Sequence, residues 1–412
     1  MAELPASLQS PDLDELRSVY AAAGGLVRRT PTVTSRSLSR ELGGEIVLKA
    51  ENLQRTGSFK IRGALARLHR IEAGRCAGVV TGSAGNHAQS LAYAAEAEGL
   101  PCRVYMPETS AIGKVEAVCA FGGEVVRGEE SVDACITLAR EAAVAEGLEF
   151  VHPFDDPDVI AGQAGVAIEL AEQVPDLRRV VVPVGGGGLA SGVAIALKLG
   201  DPQVEVIGVQ AEGCAAMADS LRAHEPVEAP FARTIADGIA VKRPGELTLP
   251  LIERWLDGMV TVGDEEIAAA MVRLADRAKL VTEGAGAIGV AALMSGAVEP
   301  ADASHGATAV ILSGGNVDPR LLAAAINRHE ITASRRVRIS TLVPDKPGGL
   351  ADLLTAIAAA GANILEVSHV RDLAELDLSQ TSVDLVLETR GPEHMAELRA
   401  KLAAAGYDVG EA

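Results

Sequence analysis

The residue best placed to do chemistry in this 412-residue chain is a lysine among small and apolar neighbours, in Thr56-Gly57-Ser58-Phe59-Lys60-Ile61-Arg62-Gly63-Ala64. Ser58 fits the N-cap of a following helix, which puts Lys60 in its first turn. The positive end of a helix disfavours an ammonium, and partial burial pushes the same way. A neutral lysine amine attacks carbonyl carbon and forms Schiff bases. A lysine in isolation is more simply read as a solvated surface cation, so the case rests on its surroundings.

Three further loops supply those surroundings. Ser83-Ala84-Gly85-Asn86-His87-Ala88-Gln89 opens a helix, and its amides and the Ser83 hydroxyl could hold a carboxylate. The Asn86 amide could bond a ring hydroxyl. Alone, the segment also reads as an ordinary turn, and His87 reads as structural because no nearby Asp or Cys completes a triad. Val184-Gly185-Gly186-Gly187-Gly188-Leu189-Ala190 places four glycines between a strand and a helix. Four glycines cost backbone entropy, and let amides close around an anion at a helix start. Gly185-x-Gly187-x-x-Ala190 also fits a dinucleotide fingerprint with Gln210 or Glu212 downstream, a nicotinamide reading that leaves Lys60 idle. Finally, Ser313 in Leu312-Ser313-Gly314-Gly315-Asn316 could bond a pyridine nitrogen without enforcing its protonation. The same residues also read as a turn that ends a strand.

These loops need a scaffold, and the pattern provides one. Runs rich in Val, Ile and Leu at 46–49, 78–81, 103–106, 180–184, 204–209 and 307–312 alternate with Ala-rich amphipathic stretches. That rhythm predicts parallel sheet covered by helices, an α/β architecture with ligands beyond the C-terminal strand ends. After the polar stretch 328–336 the rhythm changes. A strand at 337–343, a helix at 347–361, strands near 364–369 and 382–387, a helix near 392–405 and a closing strand predict an α+β module. The expected division is a catalytic domain over 1–330, a linker over 331–336 and a second module over 337–412.

Composition narrows the classes. A net charge of −19 argues against a nucleic-acid partner. With 48% hydrophobic but 2% aromatic residues, aliphatic side chains must fill the cores. The start of the chain lacks a secretory pattern and no run is long enough for a membrane span, so a cytoplasmic protein is expected. Five cysteines without a C-x-x-C motif fit reduced thiols in a reducing compartment.

Taken together, the motifs closely resemble the threonine dehydratases (threonine ammonia-lyases) of the tryptophan-synthase-β-like pyridoxal-phosphate fold. The resemblance runs through Arg29-Thr30-Pro31, the Lys60 motif, 83–87, the four glycines, Asp237-Gly238, Glu283-Gly284-Ala285-Gly286-Ala287 and Ser313-Gly314-Gly315-Asn316. It implies fold type II, with two parallel-sheet subdomains. It implies that Lys60 carries pyridoxal 5'-phosphate as an internal aldimine and takes the substrate's Cα proton. Phe59 would pack against the ring, Asn86 contact its hydroxyl, Ser313 face its nitrogen, and Gly185, Gly186, Gly187, Gly188 and Leu189 hold its phosphate. Glu283 joins this cofactor set, while Ser83, Ala84, Gly85, His87 and Gly238 would form the substrate set. The implied reaction is α,β-elimination of L-threonine, with L-serine a second substrate, to a 2-oxo acid and ammonia.

Departures from related families are informative. Serine racemases resemble this chain but place a serine where Ala84 stands, which disfavours racemisation. Their divalent-metal site aligns with Gln210, Cys214 and Ala216, so no metal is expected. Serine racemase or serine dehydratase is the alternative reading, and a nicotinamide-dependent oxidoreductase the more distant one. The C-terminal module resembles an ACT domain, which implies an amino-acid effector near Gly348, Gly349, Leu350 and Asn363; a packing module without ligand is the other reading. A homo-oligomer, tetramer or dimer, is implied by analogy.

Overall fold

Strands buried on both faces read as continuous apolar runs, and alternate only where one face is wet. The computed structural model, which describes residues 12–71, 76–370 and 379–411, follows that rule. Among the described residues the strands of the catalytic region are β1 (Thr32–Thr34), β2 (Ile46–Lys49), β3 (Val79–Gly82), β4 (Cys102–Pro107), β5 (Glu124–Glu129), β6 (Glu149–Phe150), β7 (Leu177–Pro183), β8 (Glu205–Ala211), β9 (Gly258–Val262) and β10 (Ala307–Ile311). They form a six-stranded sheet in the order β1-β2-β10-β7-β8-β9 and a four-stranded sheet in the order β5-β4-β3-β6. β1 runs antiparallel to β2, and every other pairing in the two sheets is parallel. This is the expected arrangement of two parallel-sheet subdomains.

The central strands β2, β3 and β10 are buried at every position, and they are the readable ones. The sequence pattern does not anticipate β1, β5, β6 and β9. Each lies at a sheet edge. β5 reads Glu-Val-Val-Arg-Gly-Glu and is open to solvent, and β6 is two residues long, so neither shows an apolar run. With few aromatics, the cores are aliphatic. One surrounds β7 and β10 and includes Val180, Val182, Ile195 and Ile311; another surrounds β3 and β4 and includes Ile61, Leu65, Leu91 and Val104. Cys102, Cys135 and Cys214 are buried, and all five cysteines are free. No described helix is long and apolar enough to cross a membrane.

The chain divides at Pro319/Arg320 into two compact units. The second holds β11 (Arg336–Pro344), β12 (Asn363–Val370), β13 (Gln380–Glu388) and β14 (Val409–Glu411), antiparallel in the order β12-β13-β11-β14. Helices Gly349–Ala359 and Pro392–Ala404 contribute Leu353, Ile357, Leu398 and Leu402 to a core of its own. The polar stretch 328–336 is helical through Thr332.

A cluster of buried charges ties the first unit together. The Lys49 amine lies 2.6 Å from Glu169 Oε2, and Arg62 lies 2.8 Å from both Glu169 Oε1 and Glu51 Oε1. These four side chains are at most 2% exposed. Thr30 adds a hydroxyl donated to Glu51. Burial alone would raise the Glu51 carboxyl, but Arg62's charge and hydrogen bonds outweigh it and hold the group below its ordinary range. Breaking such a cluster strands a charge. Glu169→Gln is expected to cost about 3–5 kcal/mol in urea unfolding. Glu172→Gln removes the half-exposed partner of Arg29 and should cost less than about 1 kcal/mol. Equal losses in the two variants would contradict this account.

Candidate active site

The loops singled out above lie beyond the C-terminal ends of β2, β3, β7 and β10, where an open parallel sheet gathers its ligand contacts. Hydrogen bonds stitch them into one wall. The Phe59 amide donates to Ser313 O at 3.1 Å, the Glu283 amide to Gly314 O at 3.1 Å, and the Gly315 amide to Gly57 O at 2.9 Å. Asn316 donates its side-chain amide to Thr56 O and to Asn86 Oδ1, each at 2.8 Å. Asn86 in turn donates to Glu283 Oε1 at 2.7 Å. In the sequence Asn316 reads only as the end of a motif, yet it is the staple between the lysine loop and the Asn86 helix.

One pocket collects Phe59, Lys60, Asn86, the four glycines, Leu189, Glu283 and Ser313, together with Gly238. Ser83, Ala84 and Gly85 lead into Asn86 and lie outside this lining. The Ser83 hydroxyl accepts the Gly85 amide at 3.3 Å. His87 is buried and donates from Nε2 to Val151 O at 3.1 Å. Burial, then the nearby Lys60 charge, push its pKa down to about 3, which keeps the ring neutral. Phe154, Pro183 and Ile239 also line the pocket, and no sequence motif marks them; Ala285, from the Glu283 motif, lines it too.

The expected cap is corrected. Helix Lys60–His69 does begin at Lys60, but Phe59 already has helical angles, φ −59° and ψ −21°. Ser58 instead forms an antiparallel bridge with Gly314, and its buried hydroxyl finds no hydrogen-bond partner among the described residues. Backbone pairing fixes the lysine's entry into the helix.

The Lys60 amine donates to Pro153 O at 2.7 Å and sits 5.3 Å from the Phe59 ring centre. Burial lowers its pKa to about 8, against the opposing pull of the Glu283 charge. Glu283 is pushed up to about 7, first by burial and then by Asp237. A lysine with this pKa holds a substantial fraction of neutral, nucleophilic amine near neutrality.

The glycine loop has no room for β-carbons. At Gly185 one would lie 2.9 Å from Ile239 Cα, at Gly186 2.5 Å from the Phe154 ring, at Gly187 2.7 Å from Thr248 Cβ and at Gly188 2.8 Å from Phe154 O. Gly187 also takes the left-handed φ of +99° and precedes helix Gly188–Gly200. These residues fit pyridoxal phosphate: an enclosed amine for its aldehyde, and a bare-backbone cradle at a helix start for its phosphate.

Comparison with known proteins decides the family. The model for pyridoxal-phosphate dependent enzymes matches residues 24–314. The chain belongs to this family. An ACT domain matches residues 337–404. An L-threonine ammonia-lyase of Thermotoga maritima is 43% identical over 398 residues, 96% of this chain and 98% of that protein. The catabolic L-threonine dehydratase of Escherichia coli strain K12 is 40% identical over 307 residues, 74% of this chain and 93% of that protein. Among solved structures, maize serine racemase superposes with a TM-score of 0.73 at 33% identity, covering 78% of this chain and 98% of the other. The processed form of threonine deaminase isoform 2 from Solanum lycopersicum gives 0.72 at 33% identity, covering 78% and 90%.

The cofactor of this enzyme is therefore pyridoxal phosphate. Gln210 and Cys214, at the positions of the expected missing metal site, are buried; Gln210 accepts the Ala218 amide at 2.8 Å and the Cys214 thiol donates to Val241 O at 3.4 Å. In the ACT unit, Gly348 caps helix Gly349–Ala359, Gly349 is its first residue, and Leu350 packs against that unit's core. Asn363 is exposed at the start of the edge strand β12 and donates to Glu388 at 3.0 Å.

The electrostatics can be read directly. In cofactor-free protein carrying lysine labelled at Cε, carbon NMR should show one lysine titrating near pH 8, and Lys60→Ala should delete that signal. Glu283→Gln removes an anion that favours the ammonium, so the midpoint should fall further. A Lys60 midpoint no lower than the ordinary lysine value of about 10.4 would contradict the burial argument.

Proposed function

We propose that the enzyme eliminates the β-hydroxyl of L-threonine, and of L-serine, to give 2-oxobutanoate or pyruvate plus ammonia. The observation that carries this is the pairing of a buried amine of lowered pKa with a four-glycine cradle in one pocket. Full-length likeness to an L-threonine ammonia-lyase supports threonine as substrate.

Bound pyridoxal phosphate supplies an electron sink for the pair left when the Cα–H bond breaks. Lys60 would hold the cofactor, and its neutral amine would take the Cα proton. Its contact with Pro153 O fixes where the amine rests. Gly185 to Gly188 and Leu189 hold the phosphate. Phe59, Asn86, Glu283 and Ser313 line the rest of the pocket and would hold the ring. Ser313 would offer the ring nitrogen a neutral partner that does not enforce its protonation, which suits elimination of a β-group. The segment 83–87 would orient the substrate carboxylate, and Gly238 would complete the substrate set. One water is lost with the β-hydroxyl and one is added when the released enamine hydrolyses, so the net products are the 2-oxo acid and ammonia. Ala84 offers no acid–base group, which favours elimination over racemisation.

For the ACT unit we infer an amino-acid effector at 347–350 with Asn363, and for the whole protein a homo-oligomer, dimer or tetramer. The family match and the exposed turn at Gly348 support the first.

The test is 2-oxo acid release from L-threonine, L-serine and D-serine by the purified enzyme beside Lys60→Ala. Release of 2-oxobutanoate from threonine, abolished in the variant, is expected. A protein that keeps the violet absorbance of bound cofactor but releases nothing would sink the elimination reading.

A further inference from the structure

The chain crosses from the four-stranded sheet to the six-stranded sheet through residues 152–155, between β6 and helix Pro157–Gln173. That crossing touches both ends of the pocket. Pro153 O accepts the Lys60 amine, and Phe154 packs on Gly186 and Gly188. The next residue, Asp155, lies outside the pocket lining. Its carboxylate accepts three consecutive backbone amides: Glu246 at 3.0 Å, Leu247 at 3.0 Å and Thr248 at 3.2 Å. Thr248 is fully buried and donates its hydroxyl to Gly186 O at 2.5 Å.

We propose that Asp155 is a positioning residue for the phosphate-holding loop, acting through Thr248 on the peptide that joins Gly186 to Gly187. A peptide is planar and trans, so its C=O and N–H point in opposite directions. Anchoring Gly186 C=O on Thr248 therefore aims Gly187 N–H the other way. Gly187 lines the pocket and Thr248 does not, so that direction is inward. Three amide bonds from one carboxylate fix the start of helix Thr248–Trp255, and with it the hydroxyl that holds the peptide. His152 sets Asp155 in turn: its Nδ1 accepts the Asp155 amide at 2.8 Å and the Phe154 amide at 3.3 Å. Burial lowers the His152 pKa to about 3, which keeps the ring neutral, and the two amides facing Nδ1 place its single proton on Nε2.

This inference rests on the four glycines holding the cofactor phosphate, and pyridoxal, which lacks that phosphate, separates the two ideas. Affinities of cofactor-free enzyme for pyridoxal phosphate and for pyridoxal are read from the violet absorbance on binding. Asp155→Ala should weaken pyridoxal phosphate at least about tenfold and leave pyridoxal unchanged. Thr248→Val should do the same, Thr248→Ser should restore binding, and the double variant Asp155→Ala with Thr248→Val should lose no more than the weaker single variant. Should Asp155→Ala fail to fold, Asp155→Asn keeps one acceptor oxygen, turns a carboxamide NH2 toward the Glu246 amide, and carries the same comparison. Unchanged affinity for pyridoxal phosphate, equal losses for both cofactors, or additive losses in the double variant would overturn the brace. Wild-type enzyme that bound pyridoxal as tightly as pyridoxal phosphate would sink the phosphate-loop reading itself, and the brace with it.

Discussion

The buried quartet Lys49, Glu51, Arg62 and Glu169 is the constraint on which the geometry of the catalytic unit depends. Four charges at most 2% exposed are tolerable only as a neutral, fully bonded set. Each member comes from a different part of the chain: β2, the turn Glu51–Leu53, helix Lys60–His69 and helix Pro157–Gln173. Satisfying Arg62 therefore fixes the lysine helix against the helix that follows the crossing at 152–155. The two helices approach closely; a β-carbon at Gly162 would lie 2.5 Å from Arg62 O. Lys60 is the first residue of one helix, and Pro153 comes shortly before the start of the other. Their 2.7 Å contact is the consequence. A hydrophobic substitute for the quartet would pack, but it would not define one rotation of the helix carrying Lys60, as a bidentate arginine does.

Fixing the lysine is half of the requirement; its charge is the other half. A fully dehydrated amine with no anion nearby would lose its proton readily and be a poor base. Glu283 opposes the effect of burial and leaves Lys60 near 8, while burial raises Glu283 itself to about 7. The two groups thus titrate close to neutrality from opposite ordinary values. Asn86 donates to Glu283 and accepts from Asn316, so the carboxylate's place depends on the loop after β10 as well as the helix after β3. The electrostatics of the pocket and the stitching of its loops are the same set of hydrogen bonds.

Much of this architecture is legible in the sequence, for local reasons. β2, β3, β7, β8 and β10 lie wholly or largely inside their sheets, so Val and Ile accumulate without alternation. The ACT unit is readable because its helix Gly349–Ala359 keeps Leu353 and Ile357 at core spacing. Edge strands carry no such mark. β5 and β9 are half-open, and a pattern that expects burial on two faces passes over them. Lys60 and the four glycines are legible because each breaks a local rule: a lysine among apolar neighbours, and more glycine than a turn needs.

Phe154, Asp155 and Thr248 break no local rule and so go unread, and Asn316 is read only as the end of a motif. An aspartate shortly before a proline looks like the start of a helix, and Asp156 does serve that purpose for helix Pro157–Gln173. Asp155 beside it bonds amides 91 to 93 residues away, a relation that no local spacing records. Asn316 spans 230 residues to reach Asn86. Ser58 shows the converse error: its local pattern names a helix cap, but a bridge to Gly314 claims its backbone first. Local pattern reveals residues selected for what their own segment must do. Residues that position another segment become visible only when the fold brings the two together.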